Sequence, residues 1–105
     1  MASSDDPVAI EAAKKRAENE DREWQEALKN CTKSSEGRLI LWNALSKCGV
    51  YGTSFSIEPL EMARREGQRQ IGLWLLNEIF TVNSEAYSLM RQEAELRDRR
   101  ARGVE

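Results

Sequence analysis

The sequence predicts an all-α protein of four helices. Apolar residues recur at three- and four-residue steps, as a helix face requires. Strict alternation is absent and β-branched residues are scarce, so no strand is expected. Helix-start signals punctuate the chain at Asp6-Pro7, Ser34-Ser35, Glu58-Pro59 and Asn83-Ser84.

The first helix opens where the Asp6 carboxylate can cap and Pro7 fits the first turn, its missing N–H not needed there. From Val8 to about Cys31 there is neither Gly nor Pro, and good helix formers dominate. The helix is mostly polar. Ala17, Trp24 and Cys31 recur at seven-residue intervals with Ala27 and Leu28 beside them, a narrow stripe confined to the C-terminal half. Glu11 to Asp21 has little to bury beyond alanine, so this stretch either projects from the body or lies along a partner.

The second helix runs from about Glu36 to Lys47, capped by Ser34 or Ser35 and stopped at Cys48-Gly49, with Gly49 available for the left-handed conformation. Leu41, Leu45 and Cys48 form its stripe, with Trp42 beside it. Residues 50–58 carry Val50, Tyr51, Phe55 and Ile57 among small polar residues. An exposed loop seldom holds so much apolar surface, so it either folds over the core or forms a docking surface.

Pro59 opens a third helix that reaches about Phe80 and is apolar nearly all round in its second half, which makes it the central helix. Gly67 and Gly72 each cost about 1 kcal/mol against alanine there, and a close approach by another backbone is the expected reason. A fourth helix follows Asn83-Ser84, with Ala86, Met90 and Ala94 in line, and frays beyond Leu96, where only Val104 is apolar. The core is expected in helices two to four, centred on Trp42, Ile71, Trp74, Leu75 and Met90. The resulting organisation is a disordered N-terminus (1–6), an amphipathic N-terminal helix (7–33), a helical core domain (34–96) and an arginine-rich flexible tail (97–105).

Composition narrows the function. The 105 residues suffice for one core. Sixteen basic and 18 acidic residues leave a net charge of −2, which excludes a strongly basic nucleic-acid glue. The absence of histidine removes the usual general base and most transition-metal sites. No phosphate-binding glycine loop, nucleophile elbow or SxxK motif is present. No catalytic, cofactor-binding or metal-binding residue is assigned, and a non-enzymatic protein with no cofactor and no small-molecule substrate is expected. Glu66 and Glu78 read as carboxylates that face solvent or pair with arginine. Cys31 and Cys48 read as small buried hydrophobes in a reducing compartment, a disulfide between them being the alternative. No apolar run approaches the ~18 residues of a membrane span. The acidic start lacks a signal-peptide core, so the chain is expected in the cytosol where it is made.

Two sets of residues stand out as candidates for binding. Ala17, Trp24 and Leu28 on the first helix, with Tyr51 and Phe55 in the loop, are candidate partner contacts. Trp24, Trp42 and Trp74 either meet in one core or leave one of them, Trp24 first, to anchor a partner. Arg97, Arg99, Arg100 and Arg102 are weaker candidates for nucleic acid. They, and the cluster Arg64, Arg65 and Arg69, have acids nearby that make a salt-bridged face the competing reading.

The middle of the chain carries a pattern in fixed order: Glu36-Gly37-Arg38-Leu39-Ile40-Leu41-Trp42, Cys48-Gly49-Val50-Tyr51 and Thr53-Ser54-Phe55. It continues through Glu66-Gly67-Gln68-Arg69 and Gly72-Leu73 to Glu85-Ala86-Tyr87 and Met90. Over about residues 34–94 this resembles the Bbp-nineteen-like phage domain family, small proteins encoded in the structural modules of tailed phages. The resemblance implies a virion or virion-assembly protein, near the portal or packaged as an internal, ejected component. The implied partners are itself, the portal or other virion proteins, in the virion and, during assembly, in the host cytoplasm. The rival readings are a nucleic-acid-binding accessory of DNA packaging and an early host-directed regulator.

Overall fold

A computed structural model describes residues 6–52 and 54–103. Four helices follow in order: α1 (Pro7–Cys31), α2 (Ser35–Lys47), α3 (Pro59–Val82) and α4 (Ala86–Ala101). No strand occurs among the described residues. Residues 1–5, most of the stretch expected to be disordered, lie outside the described residues, as do Thr53 of the loop and Val104 of the tail.

The local signals act as the chemistry requires. The Asp6 carboxylate accepts from the Val8 N–H at 3.0 Å, and the Ser34 hydroxyl accepts from the Gly37 N–H at 3.0 Å. Gly49 ends α2 with φ +75°, where its missing Cβ removes the strain of the left-handed region. Two starts differ from expectation. Glu58 makes no side-chain cap, and α4 begins only at Ala86, with the Asn83 side-chain carbonyl accepting the Glu85 N–H. The fourth helix also does not stop at Leu96 but runs to Ala101. Asp98 pairs with Arg102 one turn on, and basic residues in the last turn oppose the helix dipole.

The core differs from the expected one. Leu28, Leu41, Leu45, Ile79, Ala86 and Met90 are buried, with Trp42, Val50, Leu75, Leu76, Val82 and Tyr87 packed around them. Of the five residues expected at its centre, only Met90 is fully buried. Ile71 is 63% exposed and Trp74 53% exposed. Helix α3 reaches the core through Gly72, Leu76 and Ile79; Ile71 and Trp74 lie to one side of that face, where Trp74 stacks on Trp24 of α1. Leu28 brings the end of α1 into the core, so the last turns of that helix are integral to the helical body.

Two glycines are required by contact. A Cβ on Gly37 would collide with the Cys31 carbonyl, so α2 starts hard against the end of α1. A Cβ on Gly72 would meet Val50 and Cys48 side chains, where the turn after α2 crosses α3. Gly67, for which a close approach was expected, faces open space.

A polar knot joins all four helices where α1 ends. The Thr32 hydroxyl, buried, donates to the Lys29 carbonyl at 2.6 Å and accepts from the Asn83 amide at 3.1 Å. The Thr32 carbonyl accepts from Arg38 at 3.0 Å. Arg38 also holds the Glu93 carboxylate in a two-pronged bond, 2.9 and 2.8 Å. That geometry is the strong form of the interaction.

The helices spread into a layer, with Cα extents of 66 × 40 × 17 Å. The radius of gyration is 19.0 Å, against about 13 Å for a compact chain of this length.

Candidate interaction surface

Helices α1 and α3 run parallel. Trp24 stacks on Trp74, ring centroids 5.5 Å apart, and its indole N–H donates to the Glu78 carboxylate at 2.8 Å. Eight residues further along α1, Thr32 meets Asn83 just beyond α3. Towards the other end the helices part. Every α1 residue from Pro7 to Ala27 is exposed, and so are Leu60, Ala63, Gly67 and Ile71 on α3.

Each helix carries its seam past the point where they separate. Three- and four-residue steps from Trp24 towards the N-terminus give Asp21 or Glu20, Ala17, Ala13 and Ile10. The same steps from Trp74 give Ile71, Gly67, Arg64 or Ala63, and Leu60. Such steps keep residues on one helix face. The result is an α1 arm and an α3 stripe, mostly apolar or small with a charged turn in each, left uncovered among the described residues.

The candidate partner residues therefore fall into different environments. Ala17 lies exposed on the arm. Trp24 is engaged by Trp74 and Glu78 yet keeps 37% of its surface in solvent. Leu28 is 3% exposed and belongs to the protein's own core, which removes it from any external seam. The tryptophans do not meet in one core. Trp24 and Trp74 pair on the α1–α3 surface, while Trp42 stacks with Tyr51 at 4.8 Å and approaches Tyr87, which in turn contacts Phe80.

The loop splits between its two expected fates. Val50 packs on the core and Tyr51 folds back over Trp42; burial first, and then the hydrogen bond with Tyr87, push the Tyr51 phenol well above its ordinary pKa. Further on, Phe55 and Ile57 are exposed. That outer stretch is tied to α3 by Ser54, which donates to Glu66 at 3.3 Å, and by Arg65, which donates to the Phe55 carbonyl at 3.2 Å.

The charged clusters divide as well. Glu61 binds both Arg64 and Arg65, and Glu66 lies 3.6 Å from Arg69, so the first arginine cluster is a salt-bridged face. Hydrogen bonds from Arg64 and then Arg65 pull the half-buried Glu61 carboxyl down to about 2. In the second cluster Arg102 pairs with Asp98, whereas Arg97, Arg99 and Arg100 make no ion pair among the described residues. Glu93, which lies one turn before Arg97, is taken by Arg38 instead. Arg97 and Arg100 line a groove of about 380 Å³ against the start of α2, and Glu36 and Glu93 line it too. Those carboxylates oppose a phosphate in that groove.

Sequence reasoning missed the knot at Arg38. The available signal was a single arginine entering the apolar run Leu39–Trp42, a place where a charge needs a partner. Both thiols are free. Cys31 is exposed and Cys48 half-buried, so neither is the fully buried hydrophobe expected. Among the described residues no group of His, Cys, Asp and Glu is arranged to hold a metal ion, and no helix is long and apolar enough to cross a membrane.

These features define an all-α helical protein whose distinctive surface is apolar and helix-shaped. A family model described as Bbp19-like phage protein matches residues 28–92. The chain belongs to that family, and it is a phage protein. The matched region begins at Leu28, the residue with which α1 enters the core, so the arm lies outside it. No curated protein and no solved structure matches the chain.

Proposed function

We propose that this phage protein is a non-enzymatic component of the virion or of its assembly, acting through helix-mediated protein contacts. The observation that carries the reading is the amount of surface left open. The accessible area is 8094 Å², against about 6,000 Å² for a compact monomer of this mass. Large apolar side chains contribute to it on the arm, the α3 stripe and the outer loop, including Ile10, Leu60, Ile71, Trp74 and Phe55. Large apolar side chains left open along two helix faces mark a site of protein association. Within the particle, a position at the portal or among the internal proteins ejected with the DNA fits a slender helical subunit.

Mass spectrometry of purified virions tests the proposal. Peptides at a fixed ratio to the portal protein are expected. Absence from mature particles, with presence in infected cells, would replace the virion component by an assembly factor.

A second reading, an accessory of DNA packaging, is favoured by one observation: Arg97, Arg99 and Arg100 lack an ion pair among the described residues. It predicts duplex binding that weakens steeply with salt. Loss of that binding on changing the three arginines to glutamine would establish it.

A further inference from the structure

We propose that the surface formed by the α1 arm and the α3 stripe takes a second copy of this chain, the arm of each copy lying on the stripe of the other. The inference rests on reading that surface as a protein contact, and goes beyond it by naming the occupant.

Four observations favour a second copy. First, the two open seams match in length. Ile10 lies fourteen residues before Trp24, and Leu60 fourteen before Trp74, so each spans about 21 Å of helix. Second, both are continuous with a seam that already packs α1 on α3 through Trp24 and Trp74. The arm's face is therefore suited to an α3 surface, and another copy supplies the same surface. Third, the residues are complementary. Ala13 and Ala17 on the arm, with Ala63 and Gly67 on the stripe, allow two helix backbones to approach closely. Fourth, large apolar side chains stay open on both seams: Ile10, Leu60, Ile71 and Trp74 each keep half or more of their surface in solvent, and covering such side chains is what drives association.

A two-fold pair satisfies both seams of both chains at once and leaves neither exposed. Such an arrangement closes, whereas one-sided use of either seam leaves the other open for further addition. A foreign partner would have to supply separate matches for the arm and the stripe.

Sedimentation of the purified full chain and a cross-link test the proposal together. The expected mass is twice the 12.0 kDa of the chain, falling to the single-chain mass in Ala17→Asp and in Ile71→Asp. Both sites are exposed, and an unchanged far-ultraviolet circular dichroism spectrum checks that each variant keeps its helices. The cross-link uses Ala17→Cys and Gly67→Cys in a background with Cys31 and Cys48 changed to serine. These positions are the midpoints of the two seams, so they meet whichever way the arm runs along the partner. Mixing the two single-cysteine chains, one carrying a size tag, is expected to give a disulfide between different chains on oxidation.

A single-chain mass for the wild type up to about 100 μM, well above the affinity range of a specific interface, would overturn the proposal. So would a dimer that survives both aspartate variants. So would a chain carrying Ala17→Cys and Gly67→Cys together whose disulfide forms only within one molecule. Capture of another purified virion protein by a monomeric chain would overturn the second copy while leaving the proposed function standing. A dimer that is absent both from virions and from assembly intermediates in infected cells would do the reverse.

Discussion

The two halves of α3 have similar patterns and opposite fates. Gly72, Leu76 and Ile79 in the second half pack against α2, α4 and the end of α1. Leu60 and Gly67 in the first half, and Ile71 at the midpoint, follow the same helical spacing and face solvent. Helix α1 repeats the contrast in the same chain direction, exposed before Trp24 and buried at Leu28. An apolar stripe specifies that a helix face gains by burial. It does not specify whether the neighbour belongs to the same chain.

The largest effect that tests this contrast is a pair of truncations on α3. Ile79→Ala, at a position with no exposure, is expected to cost about 2–5 kcal/mol. Ile71→Ala is expected to cost under about 1 kcal/mol in a dilute monomer. Urea denaturation measures both. Equal losses would mean that the first half of α3 is as well packed as the second.

A glycine sharpens the comparison from the backbone side. Gly37→Ala drives a methyl group into the Cys31 carbonyl. Because backbone cannot rotate away as a side chain can, a loss of about 3 kcal/mol is expected. A neutral result in thermal melts would show that the start of α2 has room to move.

The knot at Arg38 ties the buried half together and makes it sensitive to acid. The hydrogen bond from Arg38 holds the Glu93 carboxyl below its ordinary value of 4.5. A carboxyl lowered in the folded state binds its proton more readily in the unfolded chain. The bond's stabilisation is therefore complete above the unfolded value and is lost as pH falls through the folded one. Stability should decline as pH drops below about 4.5, and Glu93→Gln should remove part of that decline while costing about 1.5–3 kcal/mol at neutral pH. A stability profile over about pH 3–7 for wild type and variant checks the slope. Parallel curves would show that Arg38 and Glu93 are not coupled.

The smallest effect has the opposite sign. Gly67 is helical and faces open space, so Gly67→Ala should stabilise a dilute monomer by about 0.4–1 kcal/mol. Where the stripe is covered by a partner's backbone, the same methyl group obstructs it. Weaker association together with a more stable monomer is the expected signature in sedimentation and melting.

Helix number and much of the helix boundaries were legible because local chemistry writes them. Asp6 and Ser34 supply caps, Pro7 and Pro59 fit first turns, and Gly49 supplies a left-handed stop. The start of α4 was less legible, since Asn83 acts two residues before the cap rather than as the cap itself. The α1 arm, with Ala17, was legible as polar helix with little to bury. Leu28 was read as part of that stripe, because its spacing from Trp24 is the same whether the facing helix is internal or foreign.

What sequence alone determined is therefore local: which segments are helical, where they stop, and which faces carry apolar residues. Tertiary structure alone decided that α1 runs parallel to α3, that the two meet at Trp24 and Trp74 and then part, and that Ile71 stays outside while Ile79 goes in. It also decided that Glu93 makes its hydrogen bonds to Arg38, 55 residues away, rather than to its neighbour Arg97. The physical reason is range. Capping, propensity and periodicity act within a few residues along the chain. Burial and ion pairing depend on which helix arrives alongside, and the layer these four helices build brings neighbours to only part of the surface that was patterned for them.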